Sequence, residues 1–268
     1  MADQSMFPVL LRHWRNARGL TQLDLAGASD VSARHISFLE TGRARPSREM
    51  VLQLAAALDV PMREQNGLLK AAGFSEAYGE PGLGADLDPL VRRTIEQMMA
   101  QQEPYPLLAM DRHYDLVLAN KGCTNLLAHV LGDRLAKLGH NNVLRIAFDP
   151  EGLRPFIHDW HGTARHLLLR LQREVLQNPA DHESKQLLSA LCSYPDVPAD
   201  WRIPDLTTPS LATFNLELNL NGARYGFLTA LTVFNAPQNI TLEELKLESY
   251  FPLDEATERF CRDLADRS

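Results

Sequence analysis

The chain is poor in cysteine, in long apolar runs and in the short signatures of catalysis. Its three cysteines, Cys123, Cys192 and Cys261, lie far apart without paired spacing. That excludes a disulfide framework and a zinc finger, and reduced thiols in a cytoplasmic protein are the expectation. No stretch approaches the roughly 18 consecutive apolar residues of a membrane span, so no membrane partner is expected. The opening MADQSMFPVLLRHWRN has no basic segment ahead of an apolar run, so no secretory signal is expected. The sequon Asn239-Ile240-Thr241 is then a chance match. Gly-x-Ser-x-Gly, Ser-x-x-Lys, phosphate loops and His-Glu-x-x-His are absent, so neither an enzyme nor a cofactor is expected. His158, His161 and His166 fall on a predicted helix, and the first two share a face. No cysteine or carboxylate completes a ligand set around them, so a polar helix face is favoured over a metal site.

What the chain has is length for two modest domains, 268 residues at 45% hydrophobic content. Its net charge of −7 is unevenly distributed. Residues 1–75 carry nine basic and seven acidic side chains, whereas 76–268 carry 18 and 27. Within 32–48, Arg34, Arg43, Arg45 and Arg48 face only Glu40. A short positive stretch on an otherwise acidic chain confines contact with a polyanion to one place.

Residues 7–72 read as five helices with short turns. Leu11, Trp14 and Arg18 share a face with Leu10 beside it, and Gly19 stops that helix. Thr21 caps a second helix, with Leu23, Leu25 and Ala26 expected to point inward. Ser29-Asp30-Val31 turn, and Ser32 caps a third helix that buries Ile36 and Leu39 and ends at Gly42. Pro46-Ser47 opens a fourth, with Val51, Leu54, Ala55 and Leu58 at helical spacing. A fifth runs from about Met62 to Ala71. The glycine- and proline-rich stretch 73–89 reads as a linker, which gives domains at 1–75 and 90–268 with 76–89 between them.

The second domain is mixed. Leu107–Met110 and Leu116–Ala119 read as strands around Asp111-Arg112-His113. Helical patterns follow at about 121–138 and 153–177, with a shorter one at 183–192. Phe214, Leu216, Leu218 and Leu220 alternate with polar residues, a half-buried strand. Asn221-Gly222 is a type I′ hairpin turn. The return strand, Tyr225 to Phe234, is apolar on both faces and is expected to be central and covered on both sides. Ile240 to Phe251 is ambiguous between strand and helix, and Asp254 to Asp266 reads as a terminal helix.

The stretch Leu20-Thr21-Gln22-Leu23-Asp24-Leu25-Ala26, then Val31-Ser32-Ala33-Arg34-His35-Ile36-Ser37-Phe38-Leu39-Glu40-Thr41-Gly42, then Pro46-Ser47, resembles the Cro/phage-repressor-like (XRE) helix-turn-helix family. The resemblance covers about residues 7–72. It implies an all-α, five-helix, lambda-repressor-like domain that binds double-stranded DNA, with Gln22, Ser32, Ala33, Arg34, His35, Ser37, Phe38, Arg43, Arg45 and Ser47 at the interface. The third helix is short enough to enter a major groove by its N-terminal end, with Ala33, Arg34, Ser37 and Phe38 outward. Arg34 suits guanine, while Ala33 and Phe38 suit thymine methyls. The alternative for Phe38 is packing on a neighbouring helix. Gln22 lies where the family touches phosphate, and Arg43, Arg45 and Ser47 are expected on the backbone. For Arg43, Arg45 and Arg48 the alternative is a solvated loop. Glu40 is expected in a buried ion pair with Arg15, as the family pattern suggests. One small domain buries little surface, so a homodimer on a near-palindromic site is expected.

The segments Pro106–Asp111, Leu116–Asn120, Asn142–Arg145, Asp159-Trp160 with Ala164-Arg165, and Pro237–Leu242 with Glu248–Pro252 resemble the MmyB-like ligand-binding domain over about residues 90–255. The turn Ala236-Pro237-Gln238-Asn239 departs from the commoner Thr-Pro-Gln-Asp. This resemblance implies an α+β, PAS-like domain with an antiparallel sheet that senses a small apolar molecule, a fatty acid being one example. Trp160, Arg165, Trp201, Phe214 and Phe227 are the candidate cavity residues, with Arg165 set against a carboxylate headgroup. For each of them solid core, or for Arg165 a structural ion pair, is the plainer reading. Three rivals stay open: a C-terminal domain serving only dimerisation or protein interaction, a metal sensor built on the histidines, and an enzyme carrying a DNA-targeting domain.

Overall fold

A computed structural model describes residues 6–79, 89–178, 181–202, 214–234 and 239–267. They fall into two compact units, one drawn from residues up to 79 with 239–241, the other from 89–234 and 242–267.

The first unit is helical: α1 (Met6–Ala17), α2 (Gln22–Ser29), α3 (Ala33–Glu40), α4 (Arg48–Ala57) and α5 (Met62–Ala71). The boundaries follow from local chemistry. Thr21 and Asp24 form a reciprocal capping box at α2, and the Ser32 and Ser47 hydroxyls cap α3 and α4. Asp30 at φ 52 and Gly42 at φ 71 take the left-handed conformations that reverse the chain after α2 and after α3. Phe7, Leu11, Trp14, Leu25, Ile36, Leu39, Val51, Leu54 and Leu58 are buried together with Leu68 and Leu69. Leu23 departs from its expected place and is 73% exposed. Two residues turn a helix by about 200°, so Leu23 lies opposite Leu25, and α2 turns Leu25 and Ser29 to the core. Part of the stretch read as linker is held in place, because the Asn66 side chain accepts from the Ala77 and Tyr78 amides and donates to the Tyr78 carbonyl. Residues 80–88 of that stretch lie outside the described residues, as do 236–238 of the Ala236–Asn239 turn.

The second unit opens with α6 (Pro89–Gln102), a helix absent from the sequence reading; Ile95 is its buried residue. Then come β1 (Leu107–Met110), β2 (Leu116–Ala119), α7 (Lys121–Leu131), α8 (Arg134–Lys137), α9 (Val143–Phe148), a 3-10 turn at Arg154–Phe156, α10 (Trp160–Gln177), α11 (His182–Cys192), β3 (Asn215–Leu220), β4 (Ala223–Val233), α12 (Ile240–Glu244, its first two residues counted with the first unit), β5 (Lys246–Pro252) and α13 (Glu255–Asp266). The sheet order is β2-β1-β5-β4-β3, with every pairing antiparallel.

Several expectations are corrected here. The helix expected at 121–138 is divided by Gly132 at φ 51. The one expected from 153 begins at Trp160, because Pro155 sits in the 3-10 turn, and His158 therefore precedes the helix and shares no helical face with His161. Its backbone amide donates to Glu217 and its ring meets Asn219. The ambiguous 240–251 stretch is both things in turn, α12 and then β5. Strand β4 is central in pairing, but Leu231 and Val233 are 42% and 59% exposed, so its end is not covered on both sides. The Asn221-Gly222 turn closes β3 onto β4 with φ 51 and 83, pairing Leu220 with Ala223.

Candidate functional site

In the first unit the functional geometry is a clamp on α3. The carboxylate of Glu40, 2% exposed at the end of α3, accepts from Arg15 Nε at 2.6 Å, Arg15 Nη2 at 3.0 Å and Gln22 Nε2 at 2.8 Å. The Glu40 carbonyl accepts from Arg12 Nη2 at 2.6 Å. Burial alone would raise the carboxyl pKa, but the hydrogen bonds from Arg15 and Gln22 and the nearby Arg12 outweigh it and hold it below the ordinary value. One acidic side chain thus fixes α3 against α1 and against the start of α2. Arg15 was legible in the sequence; Arg12 was not, although its spacing of three from Arg15 places both on one face of α1.

The clamp leaves a defined outer surface. Arg34 is exposed, its guanidinium 5.4 Å from the centroid of the half-buried Phe38 ring. Ala33 and Ser37 are half-buried. The Ser32 hydroxyl accepts from the His35 amide. The His35 ring is turned to α4, with Nε2 3.2 Å from Met50 Sδ. Arg43, Arg45 and Arg48 are exposed, and the Ser47 hydroxyl accepts from the Met50 amide. Gln22 is the first residue of α2, and one hydrogen of its amide is already given to Glu40. The fold therefore brings Ser32, Ala33, Arg34, Ser37 and Phe38 together on α3, with Arg43, Arg45 and Ser47 just after it, and sets Gln22 and His35 partly to structural work.

In the second unit, two asparagines build an apolar cavity. Asn120 caps α7 by accepting from the Cys123 amide, and it binds β1 by accepting from the Leu107 amide. Asn142 caps α9 and donates to the His113 carbonyl. Cys123 and Leu126 from α7, Val143 from α9, and Leu108, Leu216 and Tyr250 from the sheet then converge on a space of about 60 Å3. Small-molecule sites usually run to roughly 300–1,000 Å3, so the cavity is nearly closed in this structure.

None of the five candidate cavity residues lines it. Trp160 donates to the Asp196 carbonyl and packs edge-on to Phe148 at 4.9 Å. Arg165 pairs with Asp200 at 3.1 Å, the structural ion pair that was the plainer reading. Trp201 is buried in the core that also holds Leu168 and Leu171 of α10, Phe214 stacks on His166 at 4.2 Å, and Phe227 is fully buried, edge-on to Tyr250 at 6.2 Å. Only Phe227 touches a lining side chain through a ring contact.

The sequence reading missed a charged network beside the cavity. Lys246, Glu248 and Tyr250 alternate along β5 and so share one face. Arg170 of α10 lies over that face, with Nη1 3.5 Å from Glu248 and its guanidinium 5.2 Å from the Tyr114 ring. Lys246 pairs with Glu174 at 2.7 Å, and the Tyr114 hydroxyl donates to the same Glu174 carboxylate. Arg170 Nε is buried and has no hydrogen-bond partner among the described residues. Burial pushes the Tyr250 hydroxyl well above its ordinary pKa, so it stays protonated. Charged residues inside a strand pattern were the available signal. Among the described residues no group of three potential metal ligands comes together, and no helix is long and apolar enough to cross a membrane.

Comparison with known proteins bears on both units. Residues 11–65 match the helix-turn-helix family, and residues 91–264 match the family described as MmyB-like transcription regulator ligand binding domain. The HTH-type transcriptional regulator DdrOP3 of Deinococcus deserti is 32% identical over 98 residues, which cover 33% of this chain and 76% of that protein.

Proposed function

Because the chain belongs to the helix-turn-helix transcription regulators that carry an MmyB-like ligand-binding domain, we propose that it reads a specific DNA sequence through α3 and adjusts that binding to a small apolar acid, such as a fatty acid, held in its C-terminal domain. The single observation that carries the DNA reading is the clamped α3, with Arg34 exposed on it and Arg43 and Arg45 exposed just after it. Arg34 reads guanine in the major groove, and Ala33 and Phe38 meet thymine methyls. Arg43, Arg45, Ser47 and the start of α2 at Gln22 hold phosphate. Ser32 and His35 set the N-terminal turn of α3. The protein acts in the cytoplasm as a homodimer whose half-sites lie about 34 Å apart, one turn of DNA. It works by binding rather than by turnover.

The ligand reading is supported by the aliphatic cavity together with the Arg170–Glu248 pair next to Tyr250 on the same face of β5. The aliphatic lining suits an acyl chain once the cavity opens, and a carboxylate suits Arg170, whose Nε has no hydrogen-bond partner among the described residues. The ligand acts on DNA binding only if it favours one arrangement of the dimer over another.

The test of the DNA reading is selection of bound duplexes from a random pool, followed by titration of the selected site with the wild type and Arg34→Ala. The account expects a two-fold-related motif and a loss of about 1–3 kcal/mol of discrimination at one base pair per half-site. An unstructured pool, or equal loss on all sequences, contradicts the assignment of Arg34.

A further inference from the structure

A second concavity of the C-terminal unit is larger than the apolar cavity and of different chemistry. It is a groove of about 450 Å3 where the hairpin of β3 and β4 meets α7 and α13. That volume lies within the usual span of small-molecule sites, roughly 300–1,000 Å3. Tyr225 and Phe260 line it, stacked at 3.9 Å with 21° between their planes, and His129 meets Phe260 edge-on at 5.5 Å. Both stacked rings are half-buried, so part of their apolar surface is open to the groove.

Its charged lining groups are mostly cationic. Arg224, Arg259 and Arg267 line the groove against one carboxylate, Asp263. Arg224 is paired with Glu217, and Arg259 with Glu255 at 3.3 Å, but neither glutamate is among the lining residues. The Arg259–Glu255 pair is on the surface, where such pairing contributes little and is readily exchanged for a ligand anion. The excess of arginine is notable because residues 76–268 are acidic as a whole. A cationic concavity in an acidic body concentrates the potential that attracts a small anion. Arginine also favours carboxylate and phosphate by paired hydrogen bonds and stacks on aromatic planes.

We propose that this groove is a binding site for a planar aromatic anion, a ring system carrying a phosphate or carboxylate, separate from the apolar cavity. The ring lies against Tyr225 and Phe260, and the anion meets Arg259 and Arg267. Nothing in this depends on the apolar cavity ever opening.

The test is calorimetric titration of the full chain with adenosine 5′-monophosphate and with 2-naphthoate, using adenosine and inorganic phosphate as controls that each carry half of the chemistry. The expected result is saturable binding of at least one of the two anions at one per chain, at least tenfold tighter than either control. Preference between the two tells phosphate from carboxylate. The double variant Arg259→Ala/Arg267→Ala is expected to weaken binding at least tenfold with unchanged far-ultraviolet circular dichroism, and Asp263→Asn to tighten it several-fold. The opposite responses of two surface variants guard against a folding artefact. Absence of binding by both anions at millimolar concentration overturns the proposal, and so does binding that neither variant alters.

Discussion

Replacing Arg15 by alanine removes the partner that keeps Glu40 ionised inside the first unit. The carboxylate is 2% exposed and loses its bonds from Nε and Nη2, keeping the one from Gln22. Removing one partner of a buried pair costs about 3–5 kcal/mol, because the remaining charge is left uncompensated. Arg15 is 13% exposed and Gln22 still donates, so the lower end, about 3 kcal/mol, is expected. Hydrogen exchange on the full chain reads this directly: amides of α3 should exchange on the order of 100-fold faster, while those of β4 and β5 stay unchanged. The pH dependence has a definite sign. The Glu40 pKa is lowered by folding, so the stabilisation is present above the ordinary carboxyl value of 4.5 and is lost as pH falls through the folded value. The gap between wild type and Arg15→Ala should therefore be full at pH 7 and shrink below about pH 4. A loss under about 1 kcal/mol at pH 7, typical of a surface pair, refutes the clamp.

Other consequences are independent of that pair. Arg43→Ala and Arg45→Ala should weaken binding to all DNA sequences alike and reduce the salt slope of the affinity by about 0.9 per phosphate contact removed; a sequence-dependent loss would mean that these residues read bases. Val143→Phe should fill the apolar cavity at a stability cost of about 1–3 kcal/mol or less, leave DNA binding intact, and cut the acid recovered per chain on denaturation at least tenfold. Unchanged recovery would place the ligand elsewhere.

What the sequence made legible was local. The caps at Thr21, Ser32 and Ser47 and the stop after Glu40 at Gly42 each depend on a few neighbouring residues, and each stands where the pattern placed it. The β3–β4 hairpin was legible for the same reason, since Asn221-Gly222 carries its own turn geometry. Helix α6 was not, because its buried surface is so narrow that Ile95 alone marks it. The cavity was the least legible feature. Aromatic residues and Arg165 were chosen by type, but the lining is mostly aliphatic and comes from α7 and α9 together with strands paired out of sequence order, with β5 inserted between β1 and β4. Tyr250 reaches it, and Glu248 reaches Arg170, only through that long-range register.

The most direct test of the account is the affinity of the full chain for its selected duplex, at fixed salt, with and without the molecule released from the purified protein and identified by mass spectrometry. The account predicts a change of about 5-fold or more in Kd when the ligand saturates, with the ligand's own affinity changed by the same factor on DNA. Bound ligand with an unchanged Kd contradicts it.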